Sequence, residues 1–302
     1  MAINRISTFA VFQNTLSDVN QTQSRLFRTQ DQISSGVKAR DFEGISSKTE
    51  QFVDLEARVG KAKLYQEQNS QVKARLETTN VALDQIIQLT DEIEDLMVLR
   101  RNGALADNIN FEQQLSDKRD SLIGELNSTF EGRFIFGGTR TNVQPVSEQI
   151  PANVQLGVPD NGYYQGTDEN VTVRAQDNVE IEYNVRADAQ GFQKLFASIN
   201  TALHAHREGE ENFMADAVDM VQDASRDIIS VQATVNSTIV NLDQINERHQ
   251  SLELYWRGVT ETIAKTDVLA ASTQVAVDQA VLQASFQVFS QVNQLRLSDF
   301  LN

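Results

Sequence analysis

Met214–Ala280 reads MADAVDMVQDASRDIISVQATVNSTIVNLDQINERHQSLELYWRGVTETIAKTDVLAASTQVAVDQA, and its periodicity decides the fold class. Steps alternating between three and four residues pick out Met214, Ala217, Val221, Ala224, Ile228, Val231, Val235, Thr238, Leu242, Ile245, His249, Leu252, Trp256, Val259, Ile263, Thr266, Ala270, Thr273, Val277 and Ala280. An average step of 3.5 keeps one stripe of a helix facing a partner and imposes a left-handed supercoil. The stretch holds no proline, and Gly258 is its one weak helix former. The reading is a single helix about 100 Å long, at about 1.5 Å per residue. Its load is expected on a rod seam of Ile228, Val235, Leu242, Ile245, Leu252, Trp256, Val259 and Ile263. Such a helix suits a length-setting protein that assembles, more than a globular enzyme.

Working outward, the breakers are confined to one window. All three prolines and six of the fourteen glycines fall between Gly132 and Gly166. The chain therefore reads as helices, an insert, then helices again. The predicted fold is mainly α with a small β-rich insert: an elongated antiparallel helical bundle or coiled-coil rod whose N- and C-terminal helices pair. The expected divisions are an N-terminal assembly helix (1–45) with a C-terminal one (262–302), a rod (46–131 with 191–261), and the insert (132–190).

The first helix is predicted to open at Ser7 or Thr8, either of which suits an N-cap. Its stripe is Phe9, Phe12, Leu16, Val19, Gln23, Leu26, Gln30 and Ile33, and Gly36 closes it as a left-handed C-terminal residue. A second helix is expected after the capping box Ser47-Lys48-Thr49-Glu50. Its stripe runs from Leu55, Val59 and Ala62 through Val72, Leu76, Thr79, Leu83, Ile86, Thr90, Ile93 and Met97 to a stop at Asn102-Gly103. A third helix is predicted over Phe111–Phe130. Val171 and Val173, then Val179, Ile181, Tyr183 and Val185, alternate with polar residues around Gln176-Asp177-Asn178, the pattern of a β-hairpin. Phe192, Leu195, Phe196, Ile199 and Leu203 return to helical spacing.

Charge then separates two kinds of surface. Between Asp41 and Arg101, 20 of 61 residues are charged, as expected of helices facing water. Between Thr266 and Asn302 only Asp267, Asp278, Arg296 and Asp299 are, and the first thirty residues hold Arg5, Asp18, Arg25 and Arg28 alone. Both ends are rich instead in Gln, Ser, Thr and apolar residues, with Gln279, Gln283, Gln287 and Gln291 at four-residue steps. Amides hydrogen-bond within a packed interface without the desolvation cost of charges. The predicted assembly interface is Phe9, Phe12, Leu16, Val19, Leu26 and Ile33 at one end, with Leu282, Phe286, Phe289, Leu295 and Phe300 at the other. These ends are expected to be loose alone and buried between copies after assembly.

The totals exclude several classes. A net charge of −16, from 26 basic against 42 acidic residues, repels phosphate backbones and anionic membranes, so no nucleic-acid partner is expected. Zero cysteines removes disulfides, thiolate zinc sites and cysteine nucleophiles. No run approaches the length of a membrane span, so no membrane insertion is expected. Met1–Phe12 makes a poor signal peptide, so the protein either stays inside the cell or leaves without a cleaved leader.

No site chemistry stands out. Asp91, Glu92, Glu94 and Asp95 lie beside Arg100 and Arg101 and read as a solvated helix face. His204 and His206, two residues apart, do not share a helical face and lack a third ligand. His249 reads as a hydrogen-bonded core histidine. Gly132-Arg133-Phe134-Ile135-Phe136-Gly137-Gly138 lacks the Lys and Ser/Thr of a phosphate loop and follows a helix. The expectation is no enzyme, no cofactor and no metal.

Four stretches carry a family resemblance: Gln32-Ile33-Ser34-Ser35-Gly36 closing the first helix; Gly132–Thr141, reading GRFIFGGTRT; Tyr163-Tyr164-Gln165-Gly166 with the hairpin that follows; and Leu282–Leu301, ending Leu297-Ser298-Asp299-Phe300-Leu301. Together they resemble the flagellin superfamily. The glycine-bearing segment and the modest insert are similar to its hook-associated branch, which forms the junction between hook and filament. Arg40-Asp41-Phe42-Glu43-Gly44 departs from the proline-containing acidic turn common in the family. The resemblance implies a structural component of the bacterial flagellum, exported without a cleaved leader through the flagellar type III channel and held beforehand by an export chaperone. It implies self-assembly into a ring, with another hook-associated protein on one side and flagellin on the other, through coiled-coil packing of the terminal helices. A minor flagellin subunit, and a cytoplasmic coiled-coil scaffold, are the competing readings.

Overall fold

The computed structural model describes residues 2–38, 48–102, 110–147 and 156–301, with side chains at residue 10 and from 13 to 290 within these. Ser47, the Arg40–Gly44 turn and Gly103 fall outside the described residues. Among the described residues there are six helices and two small antiparallel sheets. The helices are α1 (Ala2–Ser35), α2 (Thr49–Arg101), α3 (Phe111–Leu126), α4 (Gln190–Glu208), α5 (Glu211–Ala264) and α6 (Val268–Leu301); the strands are β1 (Thr129–Phe130), β2 (Arg133–Phe134), β3 (Thr172–Gln176) and β4 (Val179–Glu182). By its internal contacts the chain divides into two units, Lys61–Leu252 and Met1–Gly60 with Glu253–Asn302.

In the central unit, Lys61–Leu252, α2 and α5 run antiparallel. Asn69 Nδ2 donates to Asn246 Oδ1 at 3.0 Å, Lys73 Nζ to Asp243 at 2.7 Å and Gln222 Nε2 to Glu94 Oε1 at 2.7 Å, so one number falls as the other rises. The seam expected in α2 is the buried one: Val72, Leu76, Thr79, Leu83, Ile86, Thr90, Ile93 and Met97 are all buried. So are Met214, Ala217, Val221, Ala224, Ile228, Val235, Leu242, Ile245 and His249 of α5. Phe111, Leu115, Leu122 and Leu126 of α3 and Phe192, Leu195, Phe196 and Ile199 of α4 complete one continuous core. Burying a Leu, Ile, Phe or Met side chain contributes about 1.5–3 kcal/mol each.

Helix α3 is shorter than the sequence predicts. It ends at Leu126, because Asn127 leaves the helix and uses its amide as a strand edge. Asn127 Nδ2 donates to the Val146 carbonyl, and the Val146 N–H donates to Asn127 Oδ1, both at 3.0 Å. Thr129 and Phe130 then pair with Phe134 and Arg133. The two-residue loop, Glu131 (φ 51°) and Gly132 (φ 74°), has both φ angles positive, the twist-matched hairpin turn that favours glycine. Ile135 and Phe136 plunge into the core. Beyond them a Cβ on Gly137 would stand 2.5 Å from the Arg140 carbonyl, and one on Gly138 2.5 Å from that of Thr167. The GRFIFGG run is thus a hairpin turn followed by a backbone crossing. Gly166 lies under the Tyr164 ring, which leaves no room for a side chain. The Tyr163 hydroxyl donates to the Ala187 carbonyl at 2.8 Å, and its ring packs on Phe196.

The β3–β4 hairpin forms where the alternation places it, turning at Asp177-Asn178 with a bulge between Arg174 and Gln176. Its tip docks on α2 and α5. Asn69 Nδ2 donates to the Ala175 carbonyl at 3.1 Å, His249 Nε2 lies 3.0 Å from that same oxygen, and Lys61 and Tyr65 donate to Asp177.

The terminal unit brings two corrections. First, the long helix is broken: α5 stops at Ala264 and α6 starts at Val268. Asp267 Oδ1 accepts the Leu269 and Ala270 N–H groups at 3.0 and 3.1 Å, a side-chain cap that starts a new helix. The loop after α1 fills the gap: the Lys38 N–H donates to the Ala264 carbonyl at 2.7 Å and the Thr266 N–H to the Gly36 carbonyl at 3.0 Å. Gly36 (φ 74°) supplies the left-handed turn that makes this possible. Second, α1 opens at Ala2, so Ser7 and Thr8 lie inside it. Ala2-Ile3-Asn4-Arg5 contains no breaker to stop the helix.

Candidate assembly interface

Helices α1 and α6 pack antiparallel, with Val37 bridging Lys265 at one end and Arg25 meeting Asp278 further along. Buried or half-buried on α1 are Thr15, Val19, Thr22, Leu26, Thr29 and Ile33, with Gln23 and Gln32 half-buried beside them; on α6 they are Ala271, Val275, Asp278, Leu282, Ser285 and Phe289. Both stripes keep the four-three spacing; α1 keeps the expected place at every other position, and α6 at none of the expected heptad positions. On α6 the stripe sits one or two residues beyond Ala270, Thr273, Val277 and Ala280, at Ala271, Val275, Asp278 and Leu282, because the break at 265–267 re-phases the chain. On α1 Leu16 and Gln30 turn outward, while Val19, Leu26 and Ile33 hold their expected places.

The seam is thin. Thr22 and Thr29 satisfy their hydroxyls on their own helix, donating to the Asp18 and Arg25 carbonyls at 2.8 and 2.9 Å. Asp278 is the buried charge, fully covered, and it takes Arg25 Nη2 at 2.8 Å and Gln274 Nε2 at 2.9 Å on Oδ1. Arg25 holds the Asp278 carboxyl below the usual carboxylate range, and Asp278 raises the Arg25 guanidinium in turn.

Outside the seam lie two further apolar surfaces. On α6, Ala270, Gln274, Val277, Val281, Ala284 and Val288 make a second four-three stripe of mostly small residues, with Val277 50%, Val281 42% and Val288 52% exposed. On the other side Leu16 and Phe27 of α1, about 16 Å apart along the helix, and Phe286 of α6 are exposed, Phe27 by 69% and Phe286 by 52%. In an antiparallel pair the positions flanking the seam meet like with like. Leu16 follows its seam residue Thr15, and Phe286 follows Ser285, so both flank on one side. The valine stripe precedes its seam residues and lies on the opposite face. The aromatic surface and the small-residue surface are therefore back to back.

Of the residues expected at the interface, Val19 and Leu282 are buried between α1 and α6; Leu26, Ile33 and Phe289 are half-buried there; Leu16 and Phe286 face outward. The side chains of Phe9, Phe12, Leu295 and Phe300 lie outside the described ones. Along the expected rod seam, Ile228, Val235, Leu242, Ile245 and Ile263 are buried, Trp256 and Val259 are half-buried, and Leu252 is exposed. Arg58 reaches over the Trp256 ring at 6.0 Å. Asp278 and Arg25, the centre of the terminal seam, carried no sequence signal beyond their rarity as charges in neutral helices.

The candidate chemical groups are occupied structurally. His249 is buried, stacked on Tyr65 and hydrogen-bonded to Ala175. His206 Nδ1 accepts from Arg100 Nε at 2.8 Å, and burial followed by the Arg100 charge lowers its pKa. His204 packs edge-on against Phe213. Glu92 pairs with Lys118, while burial, then Glu94 and Asp95, raises Asp91. Among the described residues no group of three or more His, Asp or Glu is arranged to hold a metal ion, and no helix is long and apolar enough to cross a membrane.

Residues 6–141 match the family described as the bacterial flagellin N-terminal helical region. The fold is similar to that of a flagellar hook-associated protein from Vibrio parahaemolyticus, with 19% identity over 72% of this chain and 97% of that one and a TM-score of 0.58. It is also similar to FlgL of Bacillus cereus, with 16% identity over 70% of this chain and 99% of that one and a TM-score of 0.55. No curated protein sequence matches.

Proposed function

We propose that this flagellin-like chain is a structural component of the bacterial flagellum that forms the junction between hook and filament, with no catalytic role. The observation that carries the reading is the pair of apolar surfaces on opposite faces of α1–α6. A back-to-back arrangement of unlike surfaces fits a heterologous contact, in which the aromatic face of one copy meets the valine face of the next, and repeated heterologous contacts build a ring where the rotation closes and an open helical assembly where it does not. The FlgL likeness supports the junction over a position along the filament. In this reading the copies form a ring outside the cell, with another hook-associated protein below and flagellin above, after export without a cleaved leader and escort by a chaperone. Phe9, Phe12, Leu295 and Phe300, whose side chains lie outside the described ones, are assigned to assembly on their sequence pattern alone.

The test is immunogold electron microscopy of isolated flagella. The expected result is label at one band where hook meets filament. Label spread along the filament assigns a minor flagellin instead, and protein retained in the cell and absent from sheared appendages assigns a scaffold.

A further inference from the structure

We infer that the Arg25–Asp278 pair is the specificity determinant that selects the register in which α1 and α6 pair. The rest of the seam is nearly blind to a one-heptad slide. On α1 the residues repeat as Thr15, Thr22, Thr29 and Val19, Leu26, Ile33; on α6 the large ones repeat as Val275, Leu282, Phe289. Sliding either helix by seven residues sets like upon like. The hydroxyls of Thr22 and Thr29 do not resist it, because they bond within their own helix.

Asp278 does resist it. Its carboxylate is fully covered, and both oxygens accept Arg25 Nε, at 3.1 and 3.0 Å, beside the Nη2 and Gln274 bonds. A slide one way sets Asp278 against Asp18 and Arg25 against Ala271. A slide the other way sets Asp278 against Gln32 and Arg25 against Ser285. Each leaves a buried carboxylate without its cation, and the first adds a like charge. Arg25 is itself half exposed, but Asp278 is covered, and stranding a covered carboxylate without its cation is far more damaging than the net worth of the pair, which is how a buried polar group fixes register. The Val37–Lys265 bridge, with the Lys38–Ala264 and Thr266–Gly36 backbone bonds, holds the loop end and is the competing determinant of register, which any slide must also break. This inference concerns a lone chain and stands apart from the flagellar reading.

The chain has no cysteine, so introduced pairs report cleanly. Thr22→Cys with Leu282→Cys reports the observed register; Thr29→Cys or Thr15→Cys with Leu282→Cys reports the two slides. In the parent only the first pair should oxidise to a disulfide. With Asp278→Leu added, the slid pairs should appear at comparable yield, and the exchange Arg25→Asp with Asp278→Arg should restore the single register. If Asp278→Leu still gives only the first disulfide, the loop bridge sets the register and the inference fails. If Asp278→Leu unravels the pair so that none forms, the charge exchange decides: recovery of the first disulfide alone upholds it, and no recovery overturns it.

Discussion

The two units of this chain bury their apolar faces in opposite ways. Lys61–Leu252 carries 16 Lys and Arg against 30 Asp and Glu, and its core is Leu, Ile, Phe and Met at or near zero exposure. The terminal unit carries 10 against 12 and is close to neutral. Its α1–α6 seam mixes Val, Leu, Ile and Phe with Thr, Ser, Ala and a covered Asp, with Leu26, Ile33 and Phe289 only half-buried, while Phe27, Val277, Phe286 and Val288 stand in the open. Charge keeps the first unit soluble and leaves its core to stabilise it alone. The second has neither the charge to remain comfortable in water nor the core to dispense with neighbours. Two paired helices cover only one stripe of each, and the remaining apolar surface is the one we propose for contacts with neighbouring copies.

Removing α6 should break the comparison most sharply. Without residues 268–302, sedimentation should show loss of all self-association, while the melting transition of the central unit stays in place. Reversal of either result would mean the terminal unit is not the assembling one. Next in size, Leu83→Ala or Ile86→Ala should destabilise the central unit by about 2–5 kcal/mol in denaturant titrations, through cavity formation. Val281→Ala on the open stripe should change the monomer by about 0.5 kcal/mol at most. A large effect of Val281→Ala in the monomer would show that this stripe is already packed. Asn69→Ala should cost about 1–3 kcal/mol in the same titration, since it withdraws both the tie to the hairpin and the tie to Asn246.

The smallest effects are those of pH. Because Asp278 has a folded pKa below its unfolded one, its contribution is present above about pH 4 and fades as pH falls through the lower folded value. Protease resistance of the α1–α6 pair should weaken in that window, with Asp278→Asn flattening the response. His206 also has a lowered folded pKa, so its contribution is full above about pH 6.5 and declines on acidification below it. Thermal melts between neutral and mildly acidic pH should show a small loss that His206→Gln removes.

Much of this was legible in the residues themselves. The α2 stripe from Val72 to Met97 and the α5 stripe from Met214 to His249 were buried as their spacing requires, because a strong contrast between apolar and charged faces leaves one stripe to choose. The hairpin turned at Asp177-Asn178 for the same reason at period two. The ends of the chain lacked that contrast. In α6, Ala271, Val275 and Leu282 compete with Ala270, Val277, Val281 and Val288, and the sequence holds nothing that ranks them.

Alone, the sequence determined that the chain is helical around a small β insert, that its two ends pair, and that those ends are starved of charge. These are properties of local period and composition. Only the tertiary structure decided that the long helix breaks ahead of Asp267, that the α6 seam shifts by one to two residues, and that Asp278 sits buried against Arg25. The break is held by Gly36–Lys38 closing onto Ala264–Thr266 and the pair by a contact 253 residues apart in the chain, and no local pattern encodes either meeting.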